Sequence, residues 1–229
     1  NGIKMSKSKG NVVSPDDLVR DYGCDSLRLY EMFVGPPELD SEWDERGIDG
    51  VYRFITRFWK LAVDSIEANV EPTKEMIKLR HQMVHTITRR LEDFSLNTVV
   101  SGFMEFNNKF IELAKKEGGI DKETIQTFVT LLAPFAPHIG EELWERLGNT
   151  GSVFENNKWP EADEELMKDD EIQVPVQING KTKVVISVPA DISKDDAIAQ
   201  GKEALGDKLT GNIIKEIYVP GRIINIVAK

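Results

Sequence analysis

The hydrophobic repeat changes its period once along the chain, and that change dictates two kinds of structure. Over residues 50–67, Val51, Phe54, Ile55, Phe58, Trp59, Ala62 and Ile66 recur at three- and four-residue spacing, which lines one face of a helix. The same stripe returns over 74–93 (Met76, Leu79, Met83, Val84, Ile87, Leu91), 96–117 (Val99, Val100, Phe103, Phe106, Phe110, Leu113) and 122–132 (Ile125, Phe128, Val129, Leu132). A fifth helix is predicted from Pro137 to Leu147, before Gly148. Such stripes bury only against one another, so residues 49–150 are predicted to form an all-helical bundle. From residue 171 the period is two. Ile172, Val174, Val176 and Ile178 alternate with polar residues, Asn179-Gly180 is a hairpin signal, and an apolar run returns over 183–188. A helix from Asp191 to about Leu205, capped by Asp191 or Ser193, and strands at 213–219 and 223–227 complete a separate small α+β domain over 171–229, in the order strand, strand, helix, strand, strand. The fold class is mainly α, followed by this α+β domain.

Local signals set the boundaries. Thr73 and Asp121 are predicted N-caps, and Gly118-Gly119 stops the third stripe. Ser14-Pro15-Asp16-Asp17 is a strong helix start, with Ser14 as cap, Pro15 in the first turn and two carboxylates at the positive end of the dipole. Gly23 ends that helix. A second short helix runs from Asp25 or Ser26 to about Phe33 and breaks at Gly35-Pro36-Pro37. Residues 38–48 read as acidic and irregular. Residues 151–170 read as a linker, pinned against the bundle by Trp159-Pro160. The segments are thus 1–48, 49–150, 151–170 and 171–229.

The net charge of −10 does not by itself suggest a nucleic-acid partner, because phosphate contacts come from a basic face. Its distribution matters more. Residues 151–170 hold two basic and seven acidic side chains, whereas 171–229 hold eight basic and seven acidic. No apolar run approaches the roughly 18 residues of a membrane span, and no signal peptide is visible. The single cysteine, Cys24, has no partner for an internal disulfide, which fits a reducing cytoplasm and a packing role. His81 and His85 stand four apart without a third ligand type nearby, so they read as a solvated helix face and no metal site is predicted.

Near the start, Lys4-Met5-Ser6-Lys7-Ser8 is followed by Lys9-Gly10-Asn11. Three ammonium groups on flexible stems, two hydroxyls and a permissive glycine make a phosphate-binding device, since lysine is a compact point charge that follows a moving phosphate. The competing reading is a solvated lysine-rich tail.

The order of those five residues resembles the second signature motif of the class I aminoacyl-tRNA synthetases. Gly10 to Asp16 extends the likeness to the leucine, isoleucine and valine members, and with Tyr22 to Glu31 and Phe33-Val34-Gly35-Pro36 the combination resembles the bacterial leucine-specific members. Leu132-Ala133-Pro134-Phe135-Ala136-Pro137-His138 and Glu141-Glu142-Leu143-Trp144 are similar to the anticodon-domain helix of that subgroup. Val176 to Lys181 and Val219-Pro220-Gly221 are similar to its small C-terminal domain. The likeness covers the whole chain and implies a C-terminal piece of a longer enzyme.

The resemblance implies that Lys4 and Lys7 stabilise the phosphates of ATP during amino-acid activation, with Lys7 the stronger candidate. Met5, Ser6 and Ser8 complete the ATP-phosphate site. Ser6 and Ser8 bind phosphate or brace the loop, Met5 anchors it by packing, and Gly10 is its hinge. Negative charge builds on the departing pyrophosphate, so cations placed there favour the transition state over the ground state. ATP, Mg²⁺ and leucine are implied for the full-length enzyme, and tRNA(Leu) is the implied partner of a monomeric, cytoplasmic protein. The family's other ATP motif, His-Ile-Gly-His, has only a decoy at Pro137-His138-Ile139-Gly140, where Glu141 follows and His138 reads as a helix-start residue. The isolated chain is therefore expected to be inactive, with no tightly bound cofactor.

Candidate tRNA contacts are Arg80, Arg89 and Arg90 on one helix, which read equally as surface charge paired with Glu92 and Asp93. In the last domain, which in the family reaches the tRNA elbow, they are Lys181, Lys183, Lys215, Arg222 and Lys229. The alternatives are an isoleucine or valine enzyme, and a free-standing tRNA-binding protein with no catalytic role. The lysine loop argues against the second, because a pure binder has no use for an ATP motif.

Overall fold

The computed structural model describes residues 3–155, 157–168 and 171–229. The chain divides into two compact units, Asn1–Met167 and Lys168–Lys229.

The first unit is helical. A single 3-10 turn, Lys7–Lys9, precedes α1 (Pro15–Tyr22), α2 (Cys24–Phe33), α3 (Glu45–Ala68), α4 (Lys74–Glu92), α5 (Leu96–Glu117), α6 (Lys122–Leu132) and α7 (Pro137–Arg146). The apolar stripes meet as the spacing requires. Phe128 of α6 lies at the centre, its ring 4.3 Å from Phe58 of α3 and 5.8 Å and 6.0 Å from Phe103 and Phe110 of α5. All four rings are fully buried, each burial contributing about 2–3 kcal/mol. One apolar cluster runs from Leu18 to Val153. Residues 1–48 and 49–150 therefore share a core.

The helix starts follow capping chemistry. Thr73 Oγ1 accepts from Met76 N at 3.3 Å, and Asp121 Oδ1 from Thr124 N at 3.0 Å. Two local expectations need correction. Ser14 occupies the N-cap of α1, but its side chain makes no capping hydrogen bond. Residues 38–48 are not irregular throughout: α3 starts at Glu45, because Asp44 Oδ1 accepts from Arg46 N at 3.1 Å and satisfies the first turn.

The segment after α7 is docked rather than free. Glu141 accepts from Ser152 Oγ at 2.5 Å and Val153 N at 3.1 Å. Trp159 Nε1 donates to Thr88 Oγ1 at 2.8 Å, Asp163 N donates to His81 Nδ1 at 3.0 Å, and Gln82 Nε2 donates to the Met167 carbonyl at 3.2 Å. Of the expected linker 151–170, positions 156, 169 and 170 lie outside the described residues.

The second unit contains β1 (Glu171–Ile178), β2 (Lys181–Pro189), α8 (Lys194–Leu205), β3 (Ile213–Val219) and β4 (Ile223–Ala228). The sheet order is β2-β1-β4-β3. Strand β1 runs antiparallel to β2 and parallel to β4, and β3 runs antiparallel to β4. Asn179 and Gly180, at φ +50° and +79°, make the tight left-handed turn that this dipeptide favours. The Asn179 side chain then extends the ladder, accepting from Ala228 N at 3.0 Å and donating to its carbonyl at 2.9 Å. Ser193, not Asp191, caps α8: its Oγ accepts from Asp196 N at 3.1 Å. Gly201 lets α8 approach the sheet, since a Cβ there would lie 3.1 Å from Ile224.

Candidate functional site

The lysine loop is shaped by its own backbone and by one amide side chain. Asn11 Oδ1 accepts from Ser6 N at 2.9 Å, while Asn11 Nδ2 donates to the Lys4 carbonyl at 3.5 Å. The Ser6 and Ser8 hydroxyls share a 3.3 Å hydrogen bond, so in this state they brace the loop. Gly10 N closes the 3-10 turn on Lys7 O at 3.2 Å, with Gly10 at φ +62°. That left-handed conformation costs most side chains 1–2 kcal/mol or so and glycine nothing. Lys4, Lys7 and Lys9 are exposed and form no ion pair among the described residues. Met5 corrects an expectation: it is 40 % exposed and so does not anchor the loop by burial. Asn11 is the missed loop residue, and its place five residues after Ser6 was the available signal.

Helix α2 connects this loop to the bundle. Arg28 donates through Nε and Nη2 to the carbonyls of Phe135 and Pro134, at 3.3 Å and 3.1 Å. Asp25, 8 % exposed, accepts from His138 N at 3.3 Å, His138 Nδ1 at 2.8 Å and Ile139 N at 2.8 Å. The turn between α6 and α7 is thus gripped on both sides, its carbonyls by a guanidinium and its amides by a carboxylate. His138 is a helix-start residue, in the role its sequence context suggests.

The three arginines of α4 separate. Arg80 is 8 % exposed and pairs with Glu123 at 2.8 Å and Asp121 at 3.8 Å, so it does not present a cation to a phosphate. Arg90 donates to the Thr98 carbonyl at 2.7 Å and approaches Glu105 at 3.7 Å, a fit that Gly102 permits. These partners differ from the Glu92 and Asp93 that proximity suggested. Arg89 alone of the three is exposed without an ion pair among the described residues. Beside Arg80, His81 is held below its ordinary pKa by burial and by the Arg80 charge. No group of three or more His, Cys, Asp or Glu among the described residues is placed to hold a metal.

In the second unit, Lys181 and Lys183 lie on β2, Lys215 on β3, Arg222 in the turn before β4 and Lys229 just after β4. All five are exposed. Lys183 and Lys215 belong to opposite edge strands.

The anticodon-binding domain of tRNA ligase matches residues 73–198, more than half of the chain. The chain belongs to this family. Residues 1–44, which contain the lysine loop, α1 and α2, match the class I tRNA synthetases for I, L, M and V. The anticodon-binding-domain chain is 44 % identical over 245 residues to a leucine–tRNA ligase of Fervidobacterium nodosum, covering 100 % of this chain and 30 % of that protein. The crystal structure of the ternary complex of Agrobacterium radiobacter K84 agnB2 LeuRS-tRNA-LeuAMS is similar over 100 % of this chain and 31 % of that one, at 28 % identity and a TM-score of 0.75. The chain thus spans under a third of these relatives' lengths and is a homologue of leucine–tRNA ligase. No helix among the described residues is long and apolar enough to cross a membrane.

Proposed function

We propose that the chain is the lysine-loop and tRNA-binding portion of a leucine–tRNA ligase, which joins leucine to tRNA(Leu) through leucyl-adenylate at the expense of ATP. The observation that carries this reading is the lysine loop itself: three exposed ammonium groups without ion pairs among the described residues stand on a loop that Asn11 braces from within. No ion pair among the described residues engages those charges, so they are available to polyphosphate. Similarity along all of this chain to 30 % of a leucine–tRNA ligase supports the choice of amino acid over isoleucine or valine.

In this reading Lys4 and Lys7 meet the phosphates of ATP as pyrophosphate departs. An ammonium that binds more strongly as charge builds lowers the barrier, and losing one such donor costs about 3 kcal/mol. Ser6 and Ser8 exchange their mutual hydrogen bond for phosphate oxygens. Gly10 supplies the hinge, and α1 fixes the trailing end. No group of three or more His, Cys, Asp or Glu among the described residues is placed to hold a metal, so Mg²⁺ would enter on the phosphates of its nucleotide. Arg89 and the five cations of the second unit are the proposed tRNA contacts, and the enzyme is placed in the cytoplasm as a monomer.

Leucine-dependent ATP–pyrophosphate exchange tests the reading. The full-length protein should catalyse it, and these 229 residues alone should not. A full-length protein that exchanges only with another amino acid would overturn the leucine assignment.

A further inference from the structure

The turn that joins β1 to β2 carries a reactive dipeptide. A glycine nitrogen that follows asparagine is unhindered, so it can attack the asparagine side-chain amide carbon and close a succinimide ring. Asn179 precedes Gly180, whereas Asn212 and Asn225, the other asparagines of 171–229, precede Ile213 and Ile226. A branched side chain crowds the attacking nitrogen, which leaves Asn179 as the susceptible position. Asn179 and Gly180 are both exposed, so water reaches the turn and burial does not shield it.

Hydrogen bonds to β4 hold the reacting groups instead. Asn179 N donates to Ile226 O at 3.0 Å and carries the parallel β1–β4 pairing one residue past Ile178. Beyond it the side-chain amide takes the place of a peptide group. Its Oδ1 accepts from Ala228 N at 3.0 Å, and its Nδ2 donates to Ala228 O at 2.9 Å. Both atoms on the carbon that would be attacked are thereby fixed. The attacking atom is engaged as well, because Gly180 N donates to Asn225 Oδ1 at 3.1 Å. Electrophile and nucleophile are each tied to β4, a strand that pairs with β1 only when the sheet is closed.

We propose that Asn179 is a deamidation site gated by the pairing of β1 with β4: intact while the sheet is closed, reactive once the strands part. In the open turn a bond forms between Gly180 N and Asn179 Cγ, the Cγ–Nδ2 bond breaks, and ammonia leaves with the proton that Gly180 N gives up. Water then opens the succinimide at one of its two carbonyls. One product is aspartate, and the other is isoaspartate, in which the main chain runs through the former side chain. Neither restores the link to β4. An ionised aspartate accepts from Ala228 N but has no hydrogen for Ala228 O, and it sets a negative oxygen against that carbonyl. Isoaspartate lengthens the main chain in the turn that sets the register of β1 and β2. Each opening of the sheet thus carries a risk of irreversible loss, which makes the lifetime of this unit a matter of rate.

The test incubates the 229-residue chain in mildly alkaline buffer, folded and in denaturing urea, and follows the peptide that contains Asn179 by proteolytic mapping and mass. Conversion in the folded chain should run at least about tenfold slower than in urea, since it proceeds through a local opening. Asn212 and Asn225 should stay intact in both. Across sub-denaturing urea concentrations, conversion should rise in step with amide hydrogen exchange at Ala228. Asn225→Ala should speed conversion in native buffer, and Asn225→Asp, which keeps an acceptor for Gly180 N, should not. Asn179→Asp, a copy of one product, should accelerate amide exchange along β4. Equal conversion rates in the folded and unfolded chain, conversion that ignores urea while exchange at Ala228 rises, or equal rates in the two Asn225 variants would overturn the gate. Unchanged exchange along β4 in Asn179→Asp would overturn the loss of the link.

Discussion

The carboxylate of Asp25 lies 2.8 Å from His138 Nδ1, 113 positions further along the chain, and accepts the backbone N–H groups of His138 and Ile139 as well. Helix α7 begins at Pro137 with Ala136 at its N-cap, a residue that has no side-chain acceptor. Asp25 of α2 supplies the missing acceptor from another element. The positive end of the helix dipole adds to the attraction.

Removing that acceptor strands the buried Ile139 amide and the part-buried His138 amide. Asp25→Ala should cost about 2–3 kcal/mol, read as a lower urea midpoint for the helical unit, and amide hydrogen exchange at His138 and Ile139 should accelerate first. A midpoint within error of the parent chain would mean that solvent caps α7 adequately.

Arg80 has a structural duty rather than a tRNA-binding one. Arg80→Met keeps the length and apolar packing of the side chain but leaves the carboxylate of Asp121, 3 % exposed, without its cation. A stability loss of about 2 kcal/mol is expected, with tRNA affinity unchanged at the same salt concentration. A parallel loss of tRNA affinity in the folded variant would restore Arg80 to the interface.

His81 makes the docked segment sensitive to acid. Its Nδ1 must be unprotonated to accept from Asp163 N, and burial together with Arg80 lowers its pKa from 6.5. The unfolded chain therefore takes up this proton before the folded chain does. The His81 contribution is fully present above pH 6.5 and declines as the pH falls through that value toward the lower folded pKa. Denaturation midpoints from pH 8 to pH 5 should fall more steeply for the parent chain than for His81→Leu; parallel curves would exclude the effect.

Phe94 occupies a position made for glycine. At the end of α4, Ser95 N bonds to Arg90 O and Phe94 N to Leu91 O, each at 2.9 Å, with Phe94 at φ +53° and its side chain 63 % exposed. The ring gains little burial to offset the strained backbone, so Phe94→Gly should stabilise the chain by about 1 kcal/mol. A lower melting temperature in that variant would show that the ring contributes packing its exposure conceals.

The bundle was legible because each long helix carries an apolar stripe, and Phe58, Phe103, Phe110 and Phe128 met as their spacing required. The change to period two similarly announced the sheet. Less legible was whatever depended on distant partners. Asp25 looked like an ordinary helix-start acid, because nothing local points to an amide 113 positions away. Arg80 looked available for phosphate until Glu123 and Asp121 folded against it. The start of α3 was missed because its first turn is polar, although Asp44 was a readable cap. In the lysine loop, residue order revealed the motif, while the Asn11 brace required coordinates.

The proposed role of the lysine loop is ATP chemistry in a leucine–tRNA ligase. It is tested most directly by leucine-dependent ATP–pyrophosphate exchange in the full-length protein, with Lys7→Ala compared against the parent. A fall in kcat of about a hundredfold, with the leucine KM little changed, is the predicted result. Undiminished exchange by Lys7→Ala would contradict it.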